Sequence, residues 1–146
     1  MIGIDFETTP DFKNKINVPI EIGLYNIDNH ETYNSLIHTK IKLGKWQREN
    51  LTHIQDDILQ ISPTSLQVCQ EILEYFNRQL EFCGTIILVA HDGKNSDFPI
   101  FKKMFKDNQI ELPHIVYVDT LVLVKQIENR NFKATCRASF KYLLSK

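Results

Sequence analysis

The sequence predicts an α/β domain in which a mixed five-stranded sheet carries helices on its faces. Three observations support this prediction: alternating apolar and polar residues at the start of the chain, a long segment of helical periodicity in its middle, and a short, continuously apolar run directly after that segment. Strands that begin as a meander and then alternate with helices are typical of a sheet with both antiparallel and parallel neighbours.

The first strand is predicted over residues 2–7. Apolar and polar residues alternate there, so Asp5 and Glu7 share one face of the strand while the isoleucines and Phe6 share the other. The polar residues and the proline of residues 8–10 predict a break after it.

Two more strands complete the predicted meander. They are expected over residues 19–27 and 32–41, with a turn at residues 28–29. Residues 45–60 have a mixed pattern that predicts short helical turns joined by a loop.

A long helix is predicted next, with Ser62 as its N-cap and Pro63 at its first helical position. Apolar residues then recur at helical spacing up to Gly84, which is typical of a helix end. The apolar run of residues 85–90 predicts a strand buried on both faces of the sheet.

The buried strand leads into a polar turn and another helix. His91 stands where the strand ends, and Asp97 is predicted to cap the helix, with Pro99 in its first turn. A fifth strand over residues 115–118 follows. The last two predicted helices span residues 121–127 and 138–144, joined by a polar connection over residues 128–133.

Composition is that of one globular domain, expected to span residues 1–146. With 42% apolar and 24% charged residues, the chain has room for a hydrophobic core. Because it lacks a membrane-length apolar stretch and a secretion signal at its start, we expect no membrane partner and an intracellular location, in cytoplasm or nucleus. Three cysteines at unpatterned spacings favour free thiols.

The charge balance narrows the possible partners. A net charge of −1 argues against a broad basic surface that holds duplex nucleic acid through many phosphate contacts. It is compatible with an enzyme that grips a few terminal nucleotides through bound metal ions, because such an enzyme itself supplies carboxylates.

The paired acids of the first strand are the first chemical signal. Two carboxylates two residues apart on one strand face repel each other, and a divalent cation such as magnesium or manganese relieves that repulsion. The alternative for Asp5 and Glu7 is a solvated strand end, and this is the better interpretation of the pair taken alone. Asp97 has the alternative of a simple helix cap, and His91 that of a hydrogen-bonded structural histidine.

Three segments together resemble the DEDD, or DnaQ-like, family of 3′ to 5′ exonucleases. Residues 5–9, Asp-Phe-Glu-Thr-Thr, resemble its first motif, and residues 89–99, Val-Ala-His-Asp-Gly-Lys-Asn-Ser-Asp-Phe-Pro, resemble its second motif in the style of the three-prime repair exonucleases. Residues 51–54 resemble the family's threonine-glycine-isoleucine loop. Asp119 also matches a common family position and is interpreted as structural.

The resemblance implies a ribonuclease H-like fold and a catalytic site with two magnesium ions, for which manganese may substitute. The ligands it implies are Asp5, Glu7 and Asp97. The implied reaction is attack of water on the terminal phosphodiester of a single-stranded 3′ end of DNA or RNA, and some relatives pair through a sheet edge as homodimers.

The resemblance also implies residues that border the substrate. Thr8, Leu51 and Ile54 are expected beside the 3′-terminal nucleotide, with Ile54 able to wedge against its base, although ordinary burial is the better interpretation of Ile54 alone. His91 is expected to order the turn that leads to Asp97 and so to contribute to substrate binding.

The family's third motif, a histidine or tyrosine a few residues ahead of a fourth aspartate, has no match in this chain. No aspartate follows Asp119 and no histidine follows His114. One expectation is that the domain is truncated at its C-terminus and impaired as written. The alternative is a catalytically degenerate exonuclease fold that serves as a nucleic-acid-binding or protein-interaction module. Smaller departures from the family are Pro10, His53 and Asp92.

Overall fold

The computed structural model describes residues 1–51 and 53–128, with the side chains of Phe82, Cys83, Ile127 and Glu128 left aside. The predicted helix over residues 138–144, and the connection before it, lie outside the described residues. Within the described part, the elements are β1 (Ile2–Asp11), β2 (Ile16–Asn26), β3 (Thr32–Leu36), α1 (Lys45–Asn50), α2 (Asp56–Ile61), α3 (Ser65–Cys83), β4 (Ile86–Ala90), α4 (Asp97–Asp107), β5 (Ile115–Asp119) and α5 (Thr120–Glu128).

The strands form one sheet in the order β3-β2-β1-β4-β5. The first three strands pair antiparallel as a meander, whereas β4 lies parallel to both β1 and β5. The predicted mixed five-stranded sheet is therefore confirmed. A homodimer through an edge of this described sheet, which stays a prediction, would use β3 or β5.

The first hairpin is longer than predicted. The expected break at residues 8–10 was wrong, because β1 stays paired with β2 up to Asp11. A register irregularity between Glu7 and Thr8 accommodates the continuation. Proline is tolerated because β4 pairs with β1 only at Ile2 and Gly3, so the later part of β1 has one neighbouring strand there, as an edge strand does. At the other end of the meander, β3 stops at Leu36, short of the predicted end.

The N-cap of α3 is Thr64 and not the predicted Ser62. The Thr64 hydroxyl accepts from the Gln67 amide, and the Gln67 side chain accepts from the Thr64 amide, which satisfies two free helix donors reciprocally. Ser62 instead follows α2, where its hydroxyl donates to the Ile58 carbonyl. The predicted end of the helix is confirmed, since Gly84 adopts the left-handed conformation with φ of 66°.

The N-terminus of α4 also differs from the prediction. Ser96 is the N-cap and Asp97 is the first helical residue, so Asp97 does not cap the helix. Its carboxylate accepts a hydrogen bond from the Phe6 amide of β1.

Helices α3 and α4 cover the face of the sheet that carries Ile2, Ile4 and Phe6. The aromatic residues Tyr75, Phe76, Phe101 and Phe105 dominate the helical side of this core, which therefore excludes water from that face. The acids of β1 lie on the opposite face. A second, smaller cluster consists of Ile20, Leu43, Ile54 and Leu59. No helix in the described part of the chain is long and apolar enough to cross a bilayer.

Candidate active site

Asp5 and Glu7 project from one face of β1 because strand side chains alternate and Ile4 and Phe6 fill the core on the other face. Each acid has a different neighbour on β2. Asp5 pairs with Gly23, which has no side chain, and Glu7 pairs directly with Glu21. The sheet therefore presents three carboxylates on neighbouring positions, with Gly23 adding no bulk next to Asp5.

Asp97 joins these acids from the start of α4. Its Oδ1 accepts a hydrogen bond of 3.0 Å from the backbone amide of Phe6, the residue between Asp5 and Glu7. Because β4 pairs with β1 only at Ile2 and Gly3, the Phe6 amide is available for this contact. The other oxygen, Oδ2, accepts a 2.7 Å bond from the Ser96 hydroxyl. The structure thus brings together the three acids that the sequence singled out.

Asp119 organises the turn before Asp97 and is a structural residue, as interpreted from the sequence. Its two carboxylate oxygens accept from the backbone amides of Asp92 and Lys94, at 3.1 and 3.0 Å. One of them also accepts from the Leu121 amide at 2.9 Å, at the start of α5. One side chain therefore fixes both the 91–96 turn and the beginning of a helix.

The 91–96 turn is tight and closely packed. Asp92 adopts a left-handed conformation with φ of 56°, and its carbonyl lies 2.9 Å from the Ser96 hydroxyl, sharing with Asp97 Oδ2 the single proton of that group. A Cβ at Gly93 would lie 2.6 Å from the Ala90 Cβ and 2.8 Å from the Phe98 ring. Glycine is therefore required where the turn passes over the start of α4.

His91 lies at the side of this turn. Its Nδ1 is 3.1 Å from the Thr120 hydroxyl, which also approaches the Ala90 carbonyl at 3.4 Å. This contact links the ends of β4 and β5 and suits the expected role of ordering the turn. Contact between His91 and a substrate stays a prediction.

The acids carry uncompensated negative charge. Burial, followed by the charges of Asp97, Glu7 and Glu21, raises the pKa of Asp5 to about 6, although the Asp5 side chain still reaches solvent. Burial also raises the pKa of Glu7, with a further contribution from Glu21, and burial raises that of Asp97 despite its hydrogen bond from Ser96. Such a cluster is expected to attract a cation.

Glu21 and His53 are members of this neighbourhood that the sequence analysis did not single out as site residues. The His53 Nε2 is 3.2 Å from Glu21 Oε2, and His53 acts to lower the pKa of Glu7. The glutamate of β2 faces Glu7 only because of the hairpin register. The alternation of residues 19–27 placed Glu21 on the polar face of the predicted strand. It could not show which residue of β1 lies opposite Glu21.

The residues expected to border the substrate have different environments. Thr8 is half-buried, and its carbonyl accepts from the Gln47 side chain at 2.9 Å. Leu51 is half-buried at the end of α1, whereas Ile54 is 0% exposed within the second core cluster. The burial of Ile54 favours a packing role in this conformation, and its contact with a base stays a prediction.

The donor chemistry of the acids fits a hard divalent cation, since Mg²⁺ and Mn²⁺ prefer carboxylate oxygens and, after burial, the charges of Asp97, Glu7 and Glu21 raise the pKa of Asp5. Over residues 1–51 and 53–128, no three histidine, cysteine or acidic side chains are arranged closely enough to hold a metal ion as they stand. The acids therefore face an open site and do not enclose a preformed metal site.

A cavity of about 540 Å³ lies away from the acids, beside β5 and between α4 and α5. Its walls include Phe98, Tyr117 and Leu123, and the Lys102 ammonium stands 3.9 Å from the centre of the Tyr117 ring. Asp5, Glu7 and Asp97 are not part of its lining, so the cavity is separate from the candidate site.

Sequence comparison finds exonucleases. The RNase T exonuclease family model matches residues 2–146. The 3′-5′ exonuclease DinG of Staphylococcus aureus strain USA300 is 33% identical over 127 residues, which cover 84% of this chain and 13% of DinG. The same protein from strain NCTC 8325 gives the same values. The chain thus spans about an eighth of the length of these curated relatives.

Comparison of folds finds Exonuclease I of E. coli. Its crystal structure in complex with a dA16 oligonucleotide has a TM-score of 0.65 and 11% sequence identity, and the match covers 87% of this chain and 29% of that chain. A second complex, with a 5cy-dA13 oligonucleotide, has a TM-score of 0.64. This likeness concerns the fold, and it confirms the predicted ribonuclease H-like architecture.

Proposed function

Because this chain belongs to the RNase T exonuclease family, as the resemblance of its motifs predicted, we propose that it removes nucleotides from the 3′ end of single-stranded DNA or RNA. The observation that carries the proposal is the hydrogen bond between Asp97 and the Phe6 amide, which joins the second acidic motif to the first. The bond brings Asp97 beside the strand that carries Asp5 and Glu7.

The residues that would hold Mg²⁺, or Mn²⁺ in its place, are Asp5, Glu7 and Asp97. Bound divalent cations would supply electrostatic stabilisation to the attacking and leaving oxygens of the terminal phosphodiester. The acids of β1 are held by the sheet and Asp97 by the 91–96 turn, so the carboxylates are positioned by rigid elements. Release of nucleoside monophosphates is the expected reaction.

The turn before α4 has a supporting role in this proposal. Asp119 fixes its backbone and His91 ties it to Thr120, so both residues help to position Asp97, and contact between His91 and the substrate stays a prediction. Thr8 and Leu51 are proposed to border the terminal nucleotide, since Thr8 directly follows Glu7 and both residues contact Gln47 of α1.

A second candidate function is a binding module built on the exonuclease fold. It is favoured by the arrangement of the acids, because no three histidine, cysteine or acidic side chains among the described residues lie close enough to hold a metal ion as they stand. The retained cluster of repelling acids favours the exonuclease, because such a cluster has no stabilising role without a cation.

Digestion of a 3′-labelled single-stranded oligonucleotide, of DNA and of RNA, tests the proposal. We expect label release with Mg²⁺ or Mn²⁺ that is abolished by EDTA and by Asp5→Ala. Asp107→Asn, at the exposed end of α4, is the matched control and should leave release unchanged. If the wild-type chain releases label no faster than Asp5→Ala but still binds the oligonucleotide, the exonuclease proposal is rejected and the binding module is supported.

A further inference from the structure

The segment that leads into α1 is cationic and carries an exposed aromatic side chain. Lys40, Lys42, Lys45 and Arg48 lie within residues 40–48, and no acidic residue occurs from residue 32 to residue 48. Trp46, the single tryptophan of the chain, is 60% exposed. The chain as a whole has a net charge of −1, whereas this segment is positively charged.

The cations are largely free to bind another molecule. Lys40 and Lys42 are exposed and have no acidic partner among the described residues. Lys45 approaches Glu49 only at 3.8 Å, with both side chains mostly in solvent, and such an exposed pair is weak. Arg48 donates one bond to the Leu43 carbonyl, which holds its side chain along the segment.

Isolated exposed aromatic side chains are common on protein surfaces, so the exposure of Trp46 alone indicates little. The position of this segment next to the candidate site is the stronger observation. The Gln47 side chain donates to the Thr8 carbonyl at 2.9 Å, immediately after Glu7. Leu43 is buried in the second core cluster, and its amide donates to Asp56 at 2.8 Å. Helix α1 is therefore fastened beside the strand that carries the candidate site.

We propose that α1 and residues 40–44 before it form a platform for single-stranded nucleic acid, with a base stacked on the Trp46 indole and backbone phosphates beside Lys42 and Lys45. Stacking on an aromatic face and cationic contacts along the backbone are the two interactions by which proteins bind single strands without reading their sequence. This inference rests on the proposed function, since it assumes that the strand reaches Asp5 and Glu7.

The charges of the two surfaces are complementary in this arrangement. The acids of β1 and β2 repel phosphate unless cations are bound, so they cannot by themselves hold the strand. The lysines of the platform attract the phosphates that precede the 3′ end. The strand would thus be held beside the site by a surface that does not depend on divalent cations.

Tryptophan fluorescence gives a direct test because Trp46 is the only source of that signal. The wild-type chain in EDTA is titrated with short oligothymidylate and oligouridylate that end in a 3′ hydroxyl, and binding is followed in parallel by anisotropy of a 5′ label. We expect quenching of Trp46 with the same midpoint as the anisotropy change. A difference in affinity between the oligothymidylate and the oligouridylate would identify the preferred nucleic acid.

Variants separate stacking from charge. Trp46→Ala should weaken binding by roughly 10-fold, in line with the loss of one stacked base. The double variant Lys42→Gln/Lys45→Gln should lower the slope of log affinity against log salt by about 1.4, from two lost phosphate contacts. Ile61→Ala, another exposed apolar residue, and Lys103→Gln on α4 are the matched controls.

Unchanged fluorescence on binding together with unchanged affinity in Trp46→Ala would overturn the platform, as would the absence of measurable binding by the wild type. These results are distinguishable from failure of the exonuclease proposal, since no metal is present in the binding assay. A chain that binds through Trp46 but releases no nucleotide with Mg²⁺ would contradict the proposed activity and leave the platform standing.

Discussion

The backbone amide of Phe6 donates a 3.0 Å hydrogen bond to Asp97 Oδ1, and this bond joins two parts of the chain that are 91 residues apart. It explains why Asp97 is 7% exposed yet not engaged in capping its own helix. The carboxylate is fixed by β1 on one side and by Ser96 on the other. The same residue therefore contributes to folding and to the candidate site.

The dual role of Asp97 predicts different effects of two substitutions. Asp97→Ala removes the acceptor of the Phe6 amide, and leaving this buried group unpaired should lower the free energy of unfolding by about 1–3 kcal/mol. Asp97→Asn retains an oxygen acceptor and should be nearly as stable as wild type. Both should lose nucleotide release. Urea unfolding in EDTA measures the stabilities, and equal stability of the two variants would show that the bond has no energetic role.

The raised pKa of Asp5 predicts a pH-dependent stability of the metal-free protein. Its carboxyl titrates near 3.8 in the unfolded chain and at about 6 in the folded one, so the folded state binds the proton more tightly. The favourable contribution is complete below pH 3.8 and is lost as the pH rises through about 6. Asp5→Asn should therefore raise the Tm in EDTA at about pH 8 and lose this advantage below about pH 4.

The melting curves of Asp5→Asn also test cation binding. Because a ligand that binds only the folded state stabilises it, Mn²⁺ should raise the Tm of the wild type and have little effect on the variant. If Asp5→Asn melts at the wild-type temperature over the whole pH range in EDTA, repulsion among the acids does not measurably lower the stability of the folded protein.

Glu21 is predicted to influence the site through its charge. Its carboxylate is one cause of the raised pKa of both Asp5 and Glu7, so Glu21→Gln should lower both pKa values. Carboxyl-carbon NMR titration of the metal-free protein measures the shift. Glu111→Gln, an exposed glutamate outside the acid cluster, should leave both titrations unchanged, and an equal effect of the two substitutions would contradict a local interaction.

Gly93 is predicted to be intolerant of a side chain. The added methyl of Gly93→Ala would overlap Ala90 and the Phe98 ring, so we expect a loss of roughly 1–3 kcal/mol in the free energy of unfolding. Gly3→Ala is the control, because its Cβ would meet no atom closer than 3.8 Å. Thermal unfolding of the two variants side by side compares them, and similar values would argue that the 91–96 turn relaxes easily.

The sequence predicted the elements whose pattern is local and strongly periodic. Helix α3 and strand β4 were found from apolar spacing and apolar continuity, and the acids of β1 from the alternation of a short strand. The errors in the predicted elements lie at their boundaries. Ser62 and Pro63 form a plausible helix start, but the reciprocal bonds of Thr64 and Gln67 determine the actual one.

The features that the sequence did not predict depend on contacts between distant residues. Strand β1 continues through Pro10 because β2 pairs with it to the end of the hairpin. Glu21 faces Glu7 through the register of that hairpin, and His53 reaches Glu21 from a separate loop. Asp97 was proposed as a site residue, which stays a prediction, and was misassigned as a cap, since its carboxylate accepts from the Phe6 amide of β1.

Binding of Mn²⁺ followed by electron paramagnetic resonance tests most directly the claim that Asp5, Glu7 and Asp97 form one cation site. The wild-type chain should bind Mn²⁺, whereas Asp5→Asn and Asp97→Asn should each lose at least about 10-fold in affinity, equivalent to about 1.4 kcal/mol. Asp107→Asn, whose acid pairs with Lys103 on the exposed side of α4, should bind as the wild type does. Equal affinity in all four proteins would contradict the proposed site.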